Sequence, residues 1–198
     1  PLTSGMVAHV RSVFPDAAVT ENRELFDYIY DADSLISLSG KKLHQKRTHY
    51  NNFITRYNWE YTRIGENNLA LLRRAYESLW RYESDEGQDF ADEHIAIAEL
   101  IGNFTALGLT AGVITVGGEI AAYSIGERFT CCHALIHTEK ADKNYEGAFA
   151  AINREFAAHE FADCRFINRE EDMGIEGLRR AKLSYQPALL NEIYSLTI

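Results

Sequence analysis

Two short stretches hold most of the side chains able to do acid–base or anion-binding chemistry. Across residues 166–187, FINREEDMGIEGLRRAKLSYQP, the carboxylates Glu170, Glu171 and Asp172 follow Asn168 and Arg169 and precede the cations Arg179, Arg180 and Lys182. Crowded carboxylates push one another's pKa up while nearby cations pull it down, so such a set can supply an acid and a base. The same residues also suit a structural ion-pair network, and spacing alone leaves both readings open. Arg179 and Lys182 are three apart and share a helical face, with Tyr185 one turn on.

The second stretch, residues 137–153, reads HTEKADKNYEGAFAAIN. Here a strand, with Glu139 at its end, passes through a loop to a helix start at residues 145–148. Unpaired N–H groups and the positive end of the helix dipole make that start an anion site, and Gly147 would let an anion approach the backbone. A third element is basic: residues 40–50, GKKLHQKRTHY, place Lys41, Lys42, Lys46 and Arg47 with His44 and His49 on a chain whose net charge is −9. That charge opposes wholesale binding to a phosphate backbone, so any RNA contact must be local, and a solvated helix face is the plainer reading of this segment.

The elements that must position these residues follow from periodicity. Helices are expected over 3–14, 31–38 (capped by Asp31 or Asp33 and ended by Gly40), 44–57, 67–82, 91–107, 144–159 and 175–185. Strands are expected over 24–30, 59–63, 109–116, 119–129, 131–137, 165–167 and 188–196. Residues 83–89 read as an acidic exposed loop, and Gly117-Gly118 as a two-residue hairpin turn. Two helices, three antiparallel strands, a helix, a strand, a helix and a strand is the element order of a GNAT-like acyltransferase fold: α/β (α+β), a mixed, largely antiparallel sheet flanked by helices.

The segments FDYIYDADSLISLSGKKLHQKRTHYNNF, HTEKADKNYEGAFAAIN and FINREEDMGIEGLRRAKLSYQP resemble the phosphatidylglycerol lysyltransferase C-terminal-domain family, in its compact soluble branch, from about Phe26 to the end. The resemblance implies tandem GNAT-like domains, with residues 1–40 ending a first domain and 41–198 forming a complete second one. It implies transfer of an acyl or aminoacyl group, from aminoacyl-tRNA or an acyl-CoA thioester, to an amine or hydroxyl. The acceptor would be a small molecule or a lipid headgroup. In that reaction Glu139 or Asp172 would be the base and Tyr185 a proton donor to the leaving group. Lys46, Arg47, Arg169, Arg179 and Lys182 would hold the phosphate-bearing donor, with Lys140, Tyr145, Gly147 and Asn168 completing the substrate site. A non-catalytic ligand-binding or docking module on the same fold is the rival reading.

Other patterns are bland. His133 and His137 lack a zinc-type spacing, and no metal site is expected. Cys131, Cys132 and Cys164 fit reduced thiols, with Cys131 and Cys132 expected on opposite faces of a strand. No apolar run reaches the length of a membrane span and the first residues do not read as a signal peptide, so a cytoplasmic protein is expected, with upstream sequence preceding Pro1.

Overall fold

The structure is a computed structural model that describes residues 1–83 and 91–197. The acidic segment 83–89 lies outside the described residues except for Glu83, which ends a helix. Seven strands form the main sheet: β3 (Asp27–Asp31), β4 (Trp59–Ile64), β5 (Thr110–Val116), β6 (Glu119–Arg128), β7 (His133–Ala141), β8 (Phe166–Asn168) and β9 (Leu189–Asn191). Their spatial order is β4-β5-β6-β7-β8-β3-β9. All neighbours are antiparallel except β7 and β8, which run parallel over His133–Leu135 against Phe166–Asn168.

The hairpin forms as its glycines dictate: Gly117 and Gly118 have φ of 59° and 90°, the backbone that a tight two-residue turn needs and that glycine adopts without a Cβ clash. Helices α4 (Leu69–Glu83) and α5 (Ala91–Gly102) contribute Leu72, Leu79, Ile97 and Ile101 to one core with Val113, Tyr123 and Ile125. Helices α3 (His44–Arg56) and α6 (Ala148–Glu160) contribute Phe53 and Ile152 to another with Ile114 and Ala122. Neighbouring strand residues Val113 and Ile114 thus serve opposite cores, as the two-residue period of a strand requires. Helix α2 (Ala32–Ser37) and α6 close a third cluster over Tyr28, Tyr30, Ile136 and Ile167.

The remaining elements depart from expectation in places. Helix α1 (Ser4–Val13) buries none of its residues. The expected last strand is divided between β9 and β10 (Ile193–Thr197); β10 belongs to a separate three-stranded sheet with β1 (Leu2–Thr3) and β2 (Ala18–Glu21), which the periodicity does not reveal. α2 is capped at its C-terminus by Leu38, at φ 49°, not by Gly40, and Asp31 makes no capping hydrogen bond. The third strand of the antiparallel run starts later and extends to Ala141, so Cys131 and Cys132 lie in the turn before it with their sulfurs 3.1 Å apart, not on opposite strand faces. α7 (Glu176–Leu183) follows β8 after a loop.

Candidate active site at the end of the parallel strand pair

The β7–β8 ladder stops at Leu135 and Asn168 while β7 runs on to Ala141. Polar side chains gather where the ladder ends. Glu139, on the extension of β7, accepts a hydrogen bond at 2.9 Å from Arg169 Nη2, just past β8, and one at 3.2 Å from Asn153 Nδ2 on α6. The side chains of Arg169 and Glu139 are only 11% and 9% exposed, and Asn153 is fully buried. Two atoms of this group are left over: Arg169 Nη1 and Asn153 Oδ1 are buried without a hydrogen-bond partner among the described residues. A buried polar atom left dry costs about 1–3 kcal/mol, so a donor and an acceptor held unpaired on the same carboxylate call for a ligand or water.

Aromatic rings wall this cluster. The Arg169 guanidinium lies 5.0 Å from the Tyr185 ring centre and 5.6 Å from that of Tyr30, and the Lys46 ammonium lies 4.4 Å from Tyr185. Burial is the largest influence on Arg169 and works against its charge, but Glu139 together with the Tyr30 and Tyr185 hydroxyls outweighs it and the guanidinium pKa is raised. Burial, then the Arg169 charge, lowers the pKa of Lys46, with Glu139 opposing. Burial raises the Tyr185 pKa against the pull of Arg169. Helix α3 therefore borders the site, and its basic residue Lys46 reaches into it.

Several other residues expected to act here are tied up in holding the fold. Asp172 is fully buried and accepts from Arg179 through both oxygens (2.8 and 2.9 Å), from Tyr28 (2.6 Å), from Arg23 (3.1 Å) and from the Gly174 N–H (2.9 Å). Burial alone would raise its pKa, but the bonds from Arg179, Tyr28 and Gly174 outweigh burial and hold it below the usual carboxylate range. Lys182 Nζ donates to the carbonyls of Arg169, Glu170 and Glu171 at 2.6, 3.2 and 2.5 Å. Arg179 and Lys182 thus share a helical face, but that face is turned onto the loop after β8. Arg47 donates to the Leu38 and Gly40 carbonyls and closes the end of α2. Asn168 accepts from the Glu170 N–H, stabilising the same loop.

Lys140 points the other way from Glu139 along β7 and pairs with Glu93 of α5 at 2.8 Å. At the start of α6, Tyr145 packs edge-on against Tyr57, 5.5 Å between centres. Gly147 has φ 89°, and a Cβ placed on it would lie 2.4 Å from the His49 carbonyl of α3. Its missing side chain therefore serves a close approach of the two helices on that side. The structure brings together Glu139, Arg169, Tyr185 and Lys46, and adds Asn153 and Tyr30. An asparagine on the buried stripe of α6, between Ile152 and Phe156, is the sequence signal that could have found the first of these; Tyr30 reads as an ordinary core aromatic. Two surface grooves lie elsewhere, one of about 450 Å³ lined by Asp31, Asp33, Ser34, Cys164 and Arg165 among others, the second by Gly40, Lys41, His44 and Arg47.

Comparison with known proteins agrees with this architecture. The family described as "Phosphatidylglycerol lysyltransferase, C-terminal" matches residues 1–197. A conserved protein of unknown function from Bacteroides thetaiotaomicron VPI-5482 is 39% identical, with TM-score 0.86, covering 98% of this chain and 67% of that one. The C-terminal domain of a putative lysylphosphatidylglycerol synthetase from Agrobacterium fabrum is 12% identical, with TM-score 0.68 over 98% of this chain and 65% of that one. A tandem GNAT protein from the clavulanic acid biosynthesis pathway shares the fold, with TM-score 0.50 and 10% identity over all of this chain and 59% of that one. An uncharacterized protein from Mycoplasmoides gallisepticum is 27% identical over 183 residues, which are 87% of this chain; the chain spans 56% of that relative's length. Among the described residues no helix is long and apolar enough to cross a membrane.

Proposed function

The chain belongs to the phosphatidylglycerol lysyltransferase C-terminal family, and on that premise we propose that it transfers an activated acyl or aminoacyl group directly to an amine or hydroxyl, at the end of the β7–β8 pair. The observation that carries this reading is the unpaired couple Arg169 Nη1 and Asn153 Oδ1, held by Glu139 in a buried position. A tetrahedral intermediate carries an oxyanion that needs a fixed donor, and a guanidinium already locked by a carboxylate supplies one without reorganising. Arg169 is the residue so placed, Glu139 and Asn153 position it, and Tyr185 and Tyr30 exclude water from it.

The donor that best suits this site is borne on RNA. Coenzyme A asks for an open slot at a helix start, whereas Gly147 at the start of α6 is packed against the His49 carbonyl. The turn leading into α3, with exposed Lys41 and Lys42, adjoins the helix that delivers Lys46 to the Tyr185 ring and could continue a phosphate track. Such a protein would work in the cytoplasm, where charged transfer RNA is made.

Binding of an aminoacyl-transfer RNA at two salt concentrations tests this, for the wild type and for Lys41→Glu with Lys42→Glu. These two lysines are exposed, so their reversal leaves the fold alone, unlike a change at Arg47. Affinity should fall steeply with salt and with the reversals. No binding at low salt, alongside a clear thermal shift with acyl-coenzyme A, would replace the RNA donor by a thioester; no response to either would leave the non-catalytic module.

A further inference from the structure

Transfer requires a group that takes the proton from the attacking amine or hydroxyl. Each carboxylate expected to do so has both oxygens engaged. Glu139 receives Arg169 on one oxygen and Asn153 on the other, and Asp172 receives Arg179, Tyr28, Arg23 and Gly174. Taking up a proton on either carboxylate would cancel the charge that holds its guanidinium partner in place.

Lys46 stands differently. Its ammonium rests on the face of Tyr185 at 4.4 Å, and among the described residues it makes no hydrogen bond or ion pair. It is partly buried on α3, while Lys41 and Lys42 at the start of the same basic segment are exposed. The ionisable groups facing it from other elements are Arg169 beyond β8, Glu139 on β7 and the Tyr185 hydroxyl after α7. A cation with no carboxylate bound to it, set beside a buried guanidinium in a partly dry site, holds its proton less firmly than an exposed lysine, with the Tyr185 face opposing this in part.

We propose that Lys46 is the proton acceptor of the transfer step, an assignment that rests on the transfer reading above. The neutral Lys46 amine accepts the proton as the acceptor's nitrogen or oxygen bonds to the acyl carbon. The resulting oxyanion is held by Arg169 Nη1. Collapse breaks the bond from the acyl carbon to the donor's ribose oxygen or thioester sulfur, and the Lys46 ammonium returns the proton to that departing atom. Burial and the Arg169 charge both lower the Lys46 pKa, which raises the share of neutral amine at any given pH.

Two measurements on the whole chain test this. In the first, the lysines are reductively methylated with ¹³C, the Lys46 signal is assigned by its loss in Lys46→Arg, and the signals are titrated. Lys46 should titrate clearly below Lys41 and Lys42, and Arg169→Gln should move it up; titration of Lys46 together with the exposed lysines overturns the proposal without any substrate. In the second, single-turnover transfer from an aminoacyl-transfer RNA or an acyl-coenzyme A to ethanolamine is followed against pH. The wild-type rate should rise through the Lys46 pKa. Lys46→Arg keeps the positive charge and the stacking on Tyr185 but cannot give up a proton, so it should bind the donor as the wild type does and lose on the order of 10²-fold or more in rate. Equal rates in wild type and Lys46→Arg overturn the assignment alone. Absence of transfer by the wild type from both donors overturns the transfer reading and the assignment with it.

Discussion

Gly147 and His49 fix the distance between two helices: a Cβ at Gly147 would lie 2.4 Å from the His49 carbonyl oxygen and 3.1 Å from Cβ of Phe53. Since α3 carries Lys46 and α6 carries Asn153, this contact sets the width of the candidate site. Alanine at 147 meets two penalties, a left-handed backbone at φ 89° and a backbone oxygen that has nowhere to move. Gly147→Ala should destabilise the protein by about 2–4 kcal/mol in urea unfolding. A loss below about 1 kcal/mol would mean that the helices part easily.

Asp172 is the hub on which Arg23, Tyr28 and Arg179 converge. Asp172→Asn removes the charge but leaves the cations, and should cost about 3–5 kcal/mol. Because its folded pKa is depressed, Asp172 contributes stability that is present above the unfolded carboxylate value of about 3.9 and is lost as pH falls below it. The acid limb of the wild-type stability curve should therefore be steeper than that of the variant. Parallel limbs would show that the pair is balanced in the unfolded chain.

The opposite sign holds for His137. Its Nδ1 pairs with Glu170 at 2.9 Å and its Nε2 with Glu127 at 3.4 Å, and the Glu170 hydrogen bond raises its pKa against burial. The stability it contributes is complete below the unfolded value of about 6.5 and declines as pH rises through the folded value. His137→Gln should flatten the stability profile on the alkaline side of about pH 6.5 while leaving the acid limb in place. An unchanged profile across that range would sink this assignment.

Part of this could be read from the sequence and part could not. Gly117-Gly118 requires its hairpin whatever surrounds it, and the apolar stripe of α4 needs a sheet to cover, so the antiparallel half of the fold follows from local pattern. The division of the last strand does not: residues 188–196 read as one apolar-rich stretch with Asn191 and Glu192 in its middle, yet Leu189 pairs with Ile29 in one sheet and Tyr194 with Leu2 and Glu21 in another. For the site, spacing brought forward Glu139, Arg169 and Tyr185 as charged or aromatic groups near element ends. It could not separate Lys46, which reaches into the cluster, from its neighbour Arg47, which caps α2, because that choice depends on where α2 ends. Nor could it show that Lys182 is spent on backbone carbonyls, a bond set defined by a loop conformation and not by residue types.

That loop supplies the last expectation. Glu170 and Met173 both have positive φ, 57° and 51°, without being glycines, and such residues persist only where their surroundings over-determine them. Lys182 does so by donating to the carbonyls of Arg169, Glu170 and Glu171. Lys182→Met fills similar space and leaves the Arg169 and Glu171 carbonyls without a donor, while the Glu170 carbonyl keeps the Tyr28 N–H at 3.2 Å, at about 1–3 kcal/mol for each one that stays dry. Amide hydrogen exchange at residues 169–173 should then accelerate more than at β5 and β6, since the loop is released while the sheet is not. The pH response gives an independent sign. Burial, then the Arg169 charge, brings the Lys182 pKa down to about 8 from 10.5, so between those values the unfolded chain binds a proton that the folded chain has released. Wild-type stability should gain from this residue as pH rises through that window, and the gain should vanish in Lys182→Met. If the two proteins keep the same slope there and exchange at 169–173 is unchanged, Lys182 does not hold the loop, and Arg169 must owe its position to Glu139, the tyrosine rings and the bond from its own N–H to the Tyr28 carbonyl.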